Sequence, residues 1–396
     1  VLKTAVMFGA DAVYIGGEAF GLRAKAKNFS MEDMKEGVQF AHEHGARVHV
    51  TVNILAHNDD LEGAAEYLKE LKEIGPDALI IADPAIFMLA KEICPEIERH
   101  VSTQANNTNY GTFNFWWNLG AKRVVTAREL SLKEIREIRA HIPAEMEIES
   151  FIHGAMCISY SGRCLLSNFF TGRDANQGAC THPCRWKYSV VEETRPGEYM
   201  PVYENERGTY IFNSKDLCMI EHIPEMIDAG IDSFKIEGRM KTALYVATVA
   251  RTYRKAIDDY LEDPKKYEAN MPWYRDQISN CTYRQFTTGF YFGKPGDESQ
   301  IYDSNTYIKE YTYLGIIGGI KDGMYRIEQR NKFSVGETVE IMKPDGQNVE
   351  VTVEKIVDEN GQEQESAPHP KQVLYVALSG EASVYDILRR QEGVTE

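Results

Sequence analysis

Apolar and polar positions recur in two different ways along this chain, and the change falls near residue 262. Before it, short β-rich runs are separated by amphipathic stretches. The candidate strands are AVYIGG (12–17), RVHVTVNI (47–54), ALIIAD (78–83), HVSTQA (100–105), RVVTA (123–127), MEIESFIHG (146–154), YIFNS (210–214) and SFKIEG (233–238). Segments between them, such as SMEDMKEGVQFAHEHG (30–45), repeat apolar residues at helical spacing and end on a glycine suited to a left-handed cap. Strands alternating with helices require crossovers and hence a mainly parallel sheet. Eight such runs predict an α/β fold, a (β/α)8 TIM-like barrel over residues 1–262. A doubly wound open sheet is the alternative, disfavoured because no G-x-G-x-x-G turn follows the first strand. The chain opens on Val1 and on a helical pattern, LKTAVMFGA, so a further strand is expected ahead of it. That makes nine candidates for eight places, with one lying outside the barrel.

Residues 263–297 contain few long apolar periods and read as a connector that packs on the barrel through its aromatics. From 298 to 396 the period becomes two: TYIKEYTYLGII, MYRIEQRN, ETVEIMKP, VEVTVEKIV and QVLYVALSG are parted by KDG, PDG and ENG. Asp-Gly and Asn-Gly supply the positive φ that tight hairpin turns require. Five or six short strands predict a small antiparallel β-barrel domain.

With 43% hydrophobic and 26% charged residues, the 396-residue chain can bury a large core. No apolar run reaches the ~18 residues of a membrane span; the most apolar stretch, ALIIADPAIFMLA (78–90), is broken by Asp83 and Pro84. The net charge of −16 argues against a broad nucleic-acid surface, although a local basic pocket is compatible with it. Seven cysteines are too few for a disulfide scaffold in a chain of this size, and no signal peptide is seen, which points to a reducing, cytoplasmic setting.

The placement of those cysteines matters more than their number. Cys157, Cys164, Cys180 and Cys184 are spaced C-x6-C-x15-C-x3-C, directly after the strand MEIESFIHG. The C-terminal ends of barrel strands are where active sites form. Four soft thiolates at this density suit an iron-sulfur cluster or zinc. Structural zinc usually shows paired short knuckles, and only Cys180 and Cys184 are that close. Cys94, Cys218 and Cys281 read as core residues.

The run ESFIHGAMCISYSGRCLLSNFFTGRDANQGACTHPCRWKY (149–188) closely resembles the signature of the collagenase-like peptidase family U32. KIEGRMKT (235–242), ADAVYIGGEAFGLRA (10–24), STQANNTN (102–109) and FNSKDLC (212–218) resemble further blocks of it, so the resemblance covers essentially the whole chain. It implies a short strand ahead of the first helix. It also implies one of two activities: proteolysis, or oxygen-independent hydroxylation with a 4Fe-4S cluster on the four cysteines. Hydroxylating branches act on the wobble uridine of tRNA, on a cytidine of 23S ribosomal RNA, or on ubiquinone precursors, and prephenate is implicated in the RNA branches. The CTHPCRWKY block and the C-terminal β-domain make the chain look most like the tRNA branch, forming 5-hydroxyuridine. Zinc remains the alternative metal, and a non-catalytic RNA-binding accessory role is a third reading. tRNA and a small organic acid are then the expected partners, and self-association or a paralogous partner subunit is compatible with the sequence.

Barrel geometry nominates a polar ring at the strand ends: Asn53, Gln104, Arg128, Glu149, His153, Asn213, Lys215, Lys235, Glu237 and Arg239. Glu149, His153 and Glu237 are the acid–base candidates, with His153 four residues before Cys157 as the base a cysteine protease needs, or equally a satisfied core histidine. Asn53, Gln104, Lys235 and Arg239, with Arg163 and Arg185 of the cysteine loop, are candidate substrate binders. Lys235, Glu237 and Arg239 alternate and share one face; they either pair with one another's neighbours or receive the carboxylates of a prephenate-like acid. Arg163, Arg173, Arg185 and Lys187 reverse the local charge. They hold RNA phosphate, with Trp186 or Tyr160 stacking a base, or they offset the charge of a thiolate-bound cluster. Trp116 and Trp117 are expected in the core and at domain contacts, and the tract 358–372 as a solvated loop.

Overall fold

The computed structural model describes residues 1–21, 28–157, 159–186, 189–191, 199–201, 215–281, 285–295 and 311–392. The chain divides into two compact units, one formed by Asp11–Met240 with Arg284–Thr306, the other by Val1–Ala10, Lys241–Tyr283 and Tyr307–Glu396.

In the first unit, strands and helices alternate in the order the hydrophobic pattern predicts. After α1 (Leu2–Met7), which belongs to the other unit, come β1 (Ala12–Gly16), α2 (Met31–Glu43), β2 (Arg47–Val52), α3 (Asn58–Ile74) and β3 (Ala78–Ile81). They are followed by α4 (Pro84–Ile93), β4 (Glu98–Val101), α5 (Tyr110–Leu119), β5 (Arg123–Val125), α6 (Leu132–Ala140) and β6 (Glu147–Ala155). The helices start where local chemistry tells them to. Ser30 and Asp33 form a reciprocal capping box at α2, Ser131 and Glu134 do so at α6, and Asp83 caps α4 with Pro84 in its first turn. The inner stripe of α2 is Met34, Val38 and Ala41, all buried.

Strands β1 to β6 pair in sequence order, every pair parallel. β6 is nine residues long and is shared by two further partners. Its middle pairs in parallel with β10 (Ser233–Ile236), while His153–Ala155 pair antiparallel with β9 (Asp216–Cys218). Between β6 and β9 lie α7 (Leu166–Thr171) and the ribbon of β7 (Ser189–Val191) and β8 (Tyr199–Pro201); α8 (Ile223–Asp228) precedes β10. The architecture is TIM-like, with seven parallel strands, β1 to β6 and β10, among the described residues. The eighth expected run, 210–214, lies outside the described residues. No ladder joins β10 to β1 among the described residues; side chains span that gap, as shown below.

The second unit joins three helices, α1 among them, to a β-barrel. The expected connector at 263–297 contains α10 (Pro264–Ser279), which packs on α9 (Ala243–Glu262) rather than running as a linker. Asp263 caps α10 ahead of Pro264, Tyr267 and Tyr274 stack at 5.7 Å, and Tyr274 donates to Asp259 of α9 at 2.6 Å. Pro272 in mid-helix and the use of Tyr instead of Leu at the buried positions hide this element from a periodicity search. β11 (Phe286–Thr287) then adds to β9 in the first unit.

The barrel consists of β12 (Tyr311–Lys321), β13 (Met324–Gln329), β14 (Thr338–Met342), β15 (Asn348–Asp358), β17 (Val373–Leu378) and β18 (Ile387–Gln391), with a two-residue strand, β16 (Glu363–Gln364), beside β15. Hydrogen bonding runs β14-β18-β12-β13-β17-β15 and returns to β14, so six antiparallel strands close on themselves. Asp322 and Gly323, with φ of 51° and 75°, make the tight turn between β12 and β13 that KDG predicts.

Candidate functional site

The interior of the parallel barrel is unusually polar. Such interiors are normally packed with branched apolar side chains, but here Glu149 on β6 is enclosed by Arg123 of β5 and by Lys235 and Ser233 of β10. Arg123 Nη1 donates to Glu149 Oε2 at 2.8 Å, Lys235 Nζ to Oε1 at 2.5 Å, and Ser233 Oγ to Oε2 at 2.9 Å. Arg123 also grips Glu147, its Nε 2.7 Å from Oε2. Burial by itself would raise the Glu149 carboxyl, yet Lys235 and Arg123 hold it well below the usual carboxylate range. Beneath this network the rings of His49 and His100 meet edge-on at 4.8 Å, and burial pushes His49 down to about 3 and His100 in the same direction.

Toward the C-terminal strand ends the network opens into a mouth. Lys235 lies 4.4 Å above the Tyr14 ring of β1, and the Tyr14 hydroxyl donates to Glu237 at 3.0 Å. Arg239 donates to Thr51 of β2 at 3.4 Å and to Asn28 at 2.9 Å. These contacts bridge β10 to β1 and β2. Two glycines make the approach feasible. At Gly154, φ is 117° and an added Cβ would fall 2.7 Å from that of Glu237, while at Gly16 it would overlap the Arg239 guanidinium.

The loop from Cys157 onward rests on the strand ends. Asn106 Nδ2 donates to Ser161 O at 3.2 Å, Gln177 Nε2 to Leu55 O at 2.7 Å, and Gly162 sits over the side chain of Gln104. None of the four cysteines is in a disulfide; Cys157 is exposed and Cys164, Cys180 and Cys184 are half-buried. The His182 amide donates to Cys180 Sγ at 3.4 Å. Among the described residues, no three Cys, His, Asp or Glu side chains converge as a metal-ligand set. The donor set still fits a soft metal or cluster in its chemistry: four reduced thiols, each with accessible surface, in one loop over the barrel mouth.

The structure therefore sorts the predicted residues. Glu237 and Lys235 come together around Tyr14, Arg239 reaches Thr51 and Asn28 instead, and the Asn53 side chain and the Gln104 backbone amide share Ser102, at 3.3 Å and 3.2 Å. Glu149 needs correcting as an acid–base candidate. It lies inside the barrel, ionised and saturated by two cations, so it has no proton to give near neutrality. Lys235 needs correcting as a carboxylate seat, because its ammonium is already taken by Glu149. His153 is 1% exposed and packs against Phe286, and no hydrogen bond joins it to Cys157 among the described residues. Arg163 and Arg173 are exposed in the loop; the side chains of Arg185 and Lys187, and all of Asn213, lie outside the described residues. Trp116 is buried and donates to Asn107 at 2.9 Å. Tyr14, Arg123, His49 and His100 were not anticipated. Each occupies a strand position one would assign to a branched apolar residue, and only the strand register assigns them to the interior.

Comparison with known proteins places this geometry in a family. The model of Peptidase family U32 matches residues 1–301, and that of the Peptidase family U32 C-terminal domain matches residues 309–389. The chain belongs to peptidase family U32. It is 42% identical over 391 residues to tRNA hydroxylation protein P1 of Bacillus subtilis, covering 98% of this chain and 92% of the relative. It is 38% identical over 408 residues to tRNA hydroxylation protein P of Escherichia coli, covering 93% and 89%. The 23S rRNA 5-hydroxycytidine synthase of Escherichia coli is 40% identical over 263 residues, covering 66% of this chain and 38% of that protein. The U32 match spans both units, from the parallel barrel and its cysteine loop to the closed β-barrel.

Proposed function

We propose that this chain is an RNA-hydroxylating enzyme of the cytoplasm that installs a hydroxyl on the wobble uridine of tRNA without molecular oxygen. The observation that carries this reading is end-to-end likeness, 98% of the chain at 42% identity, to a protein named for tRNA hydroxylation. Cys157, Cys164, Cys180 and Cys184 would hold a 4Fe-4S cluster, with zinc as the alternative occupant. When bound, such a cluster supplies one-electron transfer at the barrel mouth. The chain's own residues do the rest. Exposed Arg163 and Arg173 offer positive charge to the RNA backbone in a chain of net charge −16, and exposed Tyr160 and Trp186 offer faces for an extruded base. Prephenate is the proposed small co-substrate.

The peptidase reading is favoured by the family's name but not by the site that reading nominates: His153 is enclosed while Cys157 is exposed, and no hydrogen bond joins the two among the described residues. The thiol–imidazole approach the loop does show is Cys180 Sγ to His182 Nδ1 at 4.0 Å, between neighbours in a row of four thiols. Mass spectrometry of tRNA nucleosides from a deletion strain should show loss of 5-hydroxyuridine derivatives, restored by the wild-type chain and not by Cys157→Ser. Unchanged nucleosides would remove the proposal. Iron and sulfide analysis of protein purified without oxygen tests the cluster separately, and a colourless preparation containing only zinc would refute it.

A further inference from the structure

One cation at the barrel mouth forms no ion pair among the described residues, although the Glu129 carboxylate lies on the same wall. Arg128, three residues past the end of β5, lays its guanidinium 4.0 Å from the centre of the Phe151 ring and donates Nη1 to Ala155 O at 2.8 Å. Its Nε is buried without a partner, and no carboxylate forms an ion pair with it among the described residues. This contrasts with Lys235 and Arg123, both taken by Glu149. The stack on Phe151 and the bond to Ala155 fix the plane of the group, leaving the Nε–Nη2 edge, the side that receives a carboxylate through two parallel hydrogen bonds. Arg128 lines a small pocket with Thr103, Glu129, Cys157, Ser159 and Ser161.

We infer that this pocket is an oxyanion seat and that Arg128 binds the carboxylate of a small organic acid beside Cys157. The inference rests on the hydroxylation reading only for the identity of that acid. A single guanidinium with Glu129 on the same wall suits one carboxylate group of such an acid, which a single fork satisfies, better than a phosphate dianion, whose two charges sit on one centre and call for more than one cation. The hydroxyl of Ser161 is on hand to donate to a remaining lone pair, while those of Thr103 and Ser159 already donate to Thr126 O at 2.9 Å and Tyr160 O at 3.3 Å and would have to turn to join it. Binding there would place the acid next to the first cysteine of the loop, a position Lys235 cannot offer.

The test is calorimetric titration of the full chain with prephenate and, in a separate arm, with inorganic phosphate, using wild type, Arg128→Met and Arg128→Lys. Met keeps the apolar stem against Phe151, and Lys keeps the charge without the fork. We expect Arg128→Met to weaken prephenate binding roughly tenfold to a hundredfold. Arg128→Lys should recover only part of it, while filter retention of tRNA by both variants stays at the wild-type level. Unchanged prephenate affinity in Arg128→Met, with a wild-type melting curve, would overturn the assignment. So would a loss confined to phosphate and tRNA, which would make Arg128 a backbone contact. Prephenate binding is measured without turnover, so failure of tRNA hydroxylation in cells leaves this assay readable.

Discussion

The side chains enclosed by the parallel barrel include His49, His100, Arg123, Glu149 and Lys235, whereas those enclosed by the antiparallel barrel include Leu314, Ile317, Phe333, Ile341 and Leu374. Both interiors are packed, but they are held by different forces. An apolar core draws its stability from area removed from water and tolerates volume-conserving exchange. A buried ionic network contributes little net stability when complete and is strongly destabilising when one member is removed, because the remaining charge has neither water nor a partner. The parallel barrel has traded apolar packing for fixed charge directly below the mouth where Arg128, Glu237 and Arg239 lie. Its interior sets the orientation of site groups, and the antiparallel barrel has no such demand on it.

That contrast can be broken at its strongest point first. Glu149→Gln leaves Arg123 and Lys235 without their shared carboxylate and should destabilise the chain by about 3 to 5 kcal/mol in urea unfolding. Leu374→Ala, a cavity in the apolar barrel, should cost about 2 to 5 kcal/mol. The two should differ in salt response, with the Glu149 variant partly relieved by raised ionic strength or an added anion and the Leu374 variant not. An equal response would erase the distinction drawn here.

Acid pH provides the second test. His49 is neutral in the fold because burial, and then His100, push it down to about 3, against an ordinary value of 6.5. Below 6.5 the unfolded chain takes up a proton that the folded chain refuses, so stability is intact above that pH and declines as pH falls toward 3. At about pH 5 the loss should be on the order of 2 kcal/mol. His49→Gln should flatten the dependence of urea midpoint on pH between these limits; an unchanged slope would mean the buried imidazoles titrate as they do in water. The smallest effect is expected at Tyr14→Phe, which deletes the hydroxyl bond to Glu237 and keeps the ring under Lys235. It should cost about 1 kcal/mol, and considerably more would mean the hydroxyl, rather than the ring, joins β10 to β1.

What could be read from the sequence follows the polarity of each buried face rather than the boundary between the barrels. Where burial was apolar and periodic, the elements were legible: β1 to β6, β10 and the hairpins around KDG and PDG fall where alternation and turn chemistry place them. Where the buried face was polar, legibility failed. β18 carries Arg389, which is fully buried, donates to Glu340 at 2.6 Å and lies 4.1 Å from the Tyr311 ring; with two arginines in five residues, ILRRQ is not among the runs that alternation names. α10 was lost to Tyr positions and a mid-helix Pro. In the site, the alternation of Lys235, Glu237 and Arg239 suggested a shared face, and Lys235 and Glu237 both reach Tyr14, but no spacing rule reveals that Glu149 would claim the lysine, because that depends on the register of β6 against β10. The cysteine loop was legible as chemistry and not as geometry.

Closure of the antiparallel barrel has a consequence for how the chain can meet other molecules. A sheet with an open edge offers a row of unpaired amides and carbonyls that can template another strand. Here the six strands spend those groups on one another, and among the described residues only the two-residue β16 hangs beside the ring. Strand addition is therefore largely closed to this unit, and a nucleic acid or a second copy of the chain must be recognised through side-chain surface. Charge reversals or aromatic substitutions on the outer face should tune such contacts without touching the backbone ladder that keeps the barrel shut.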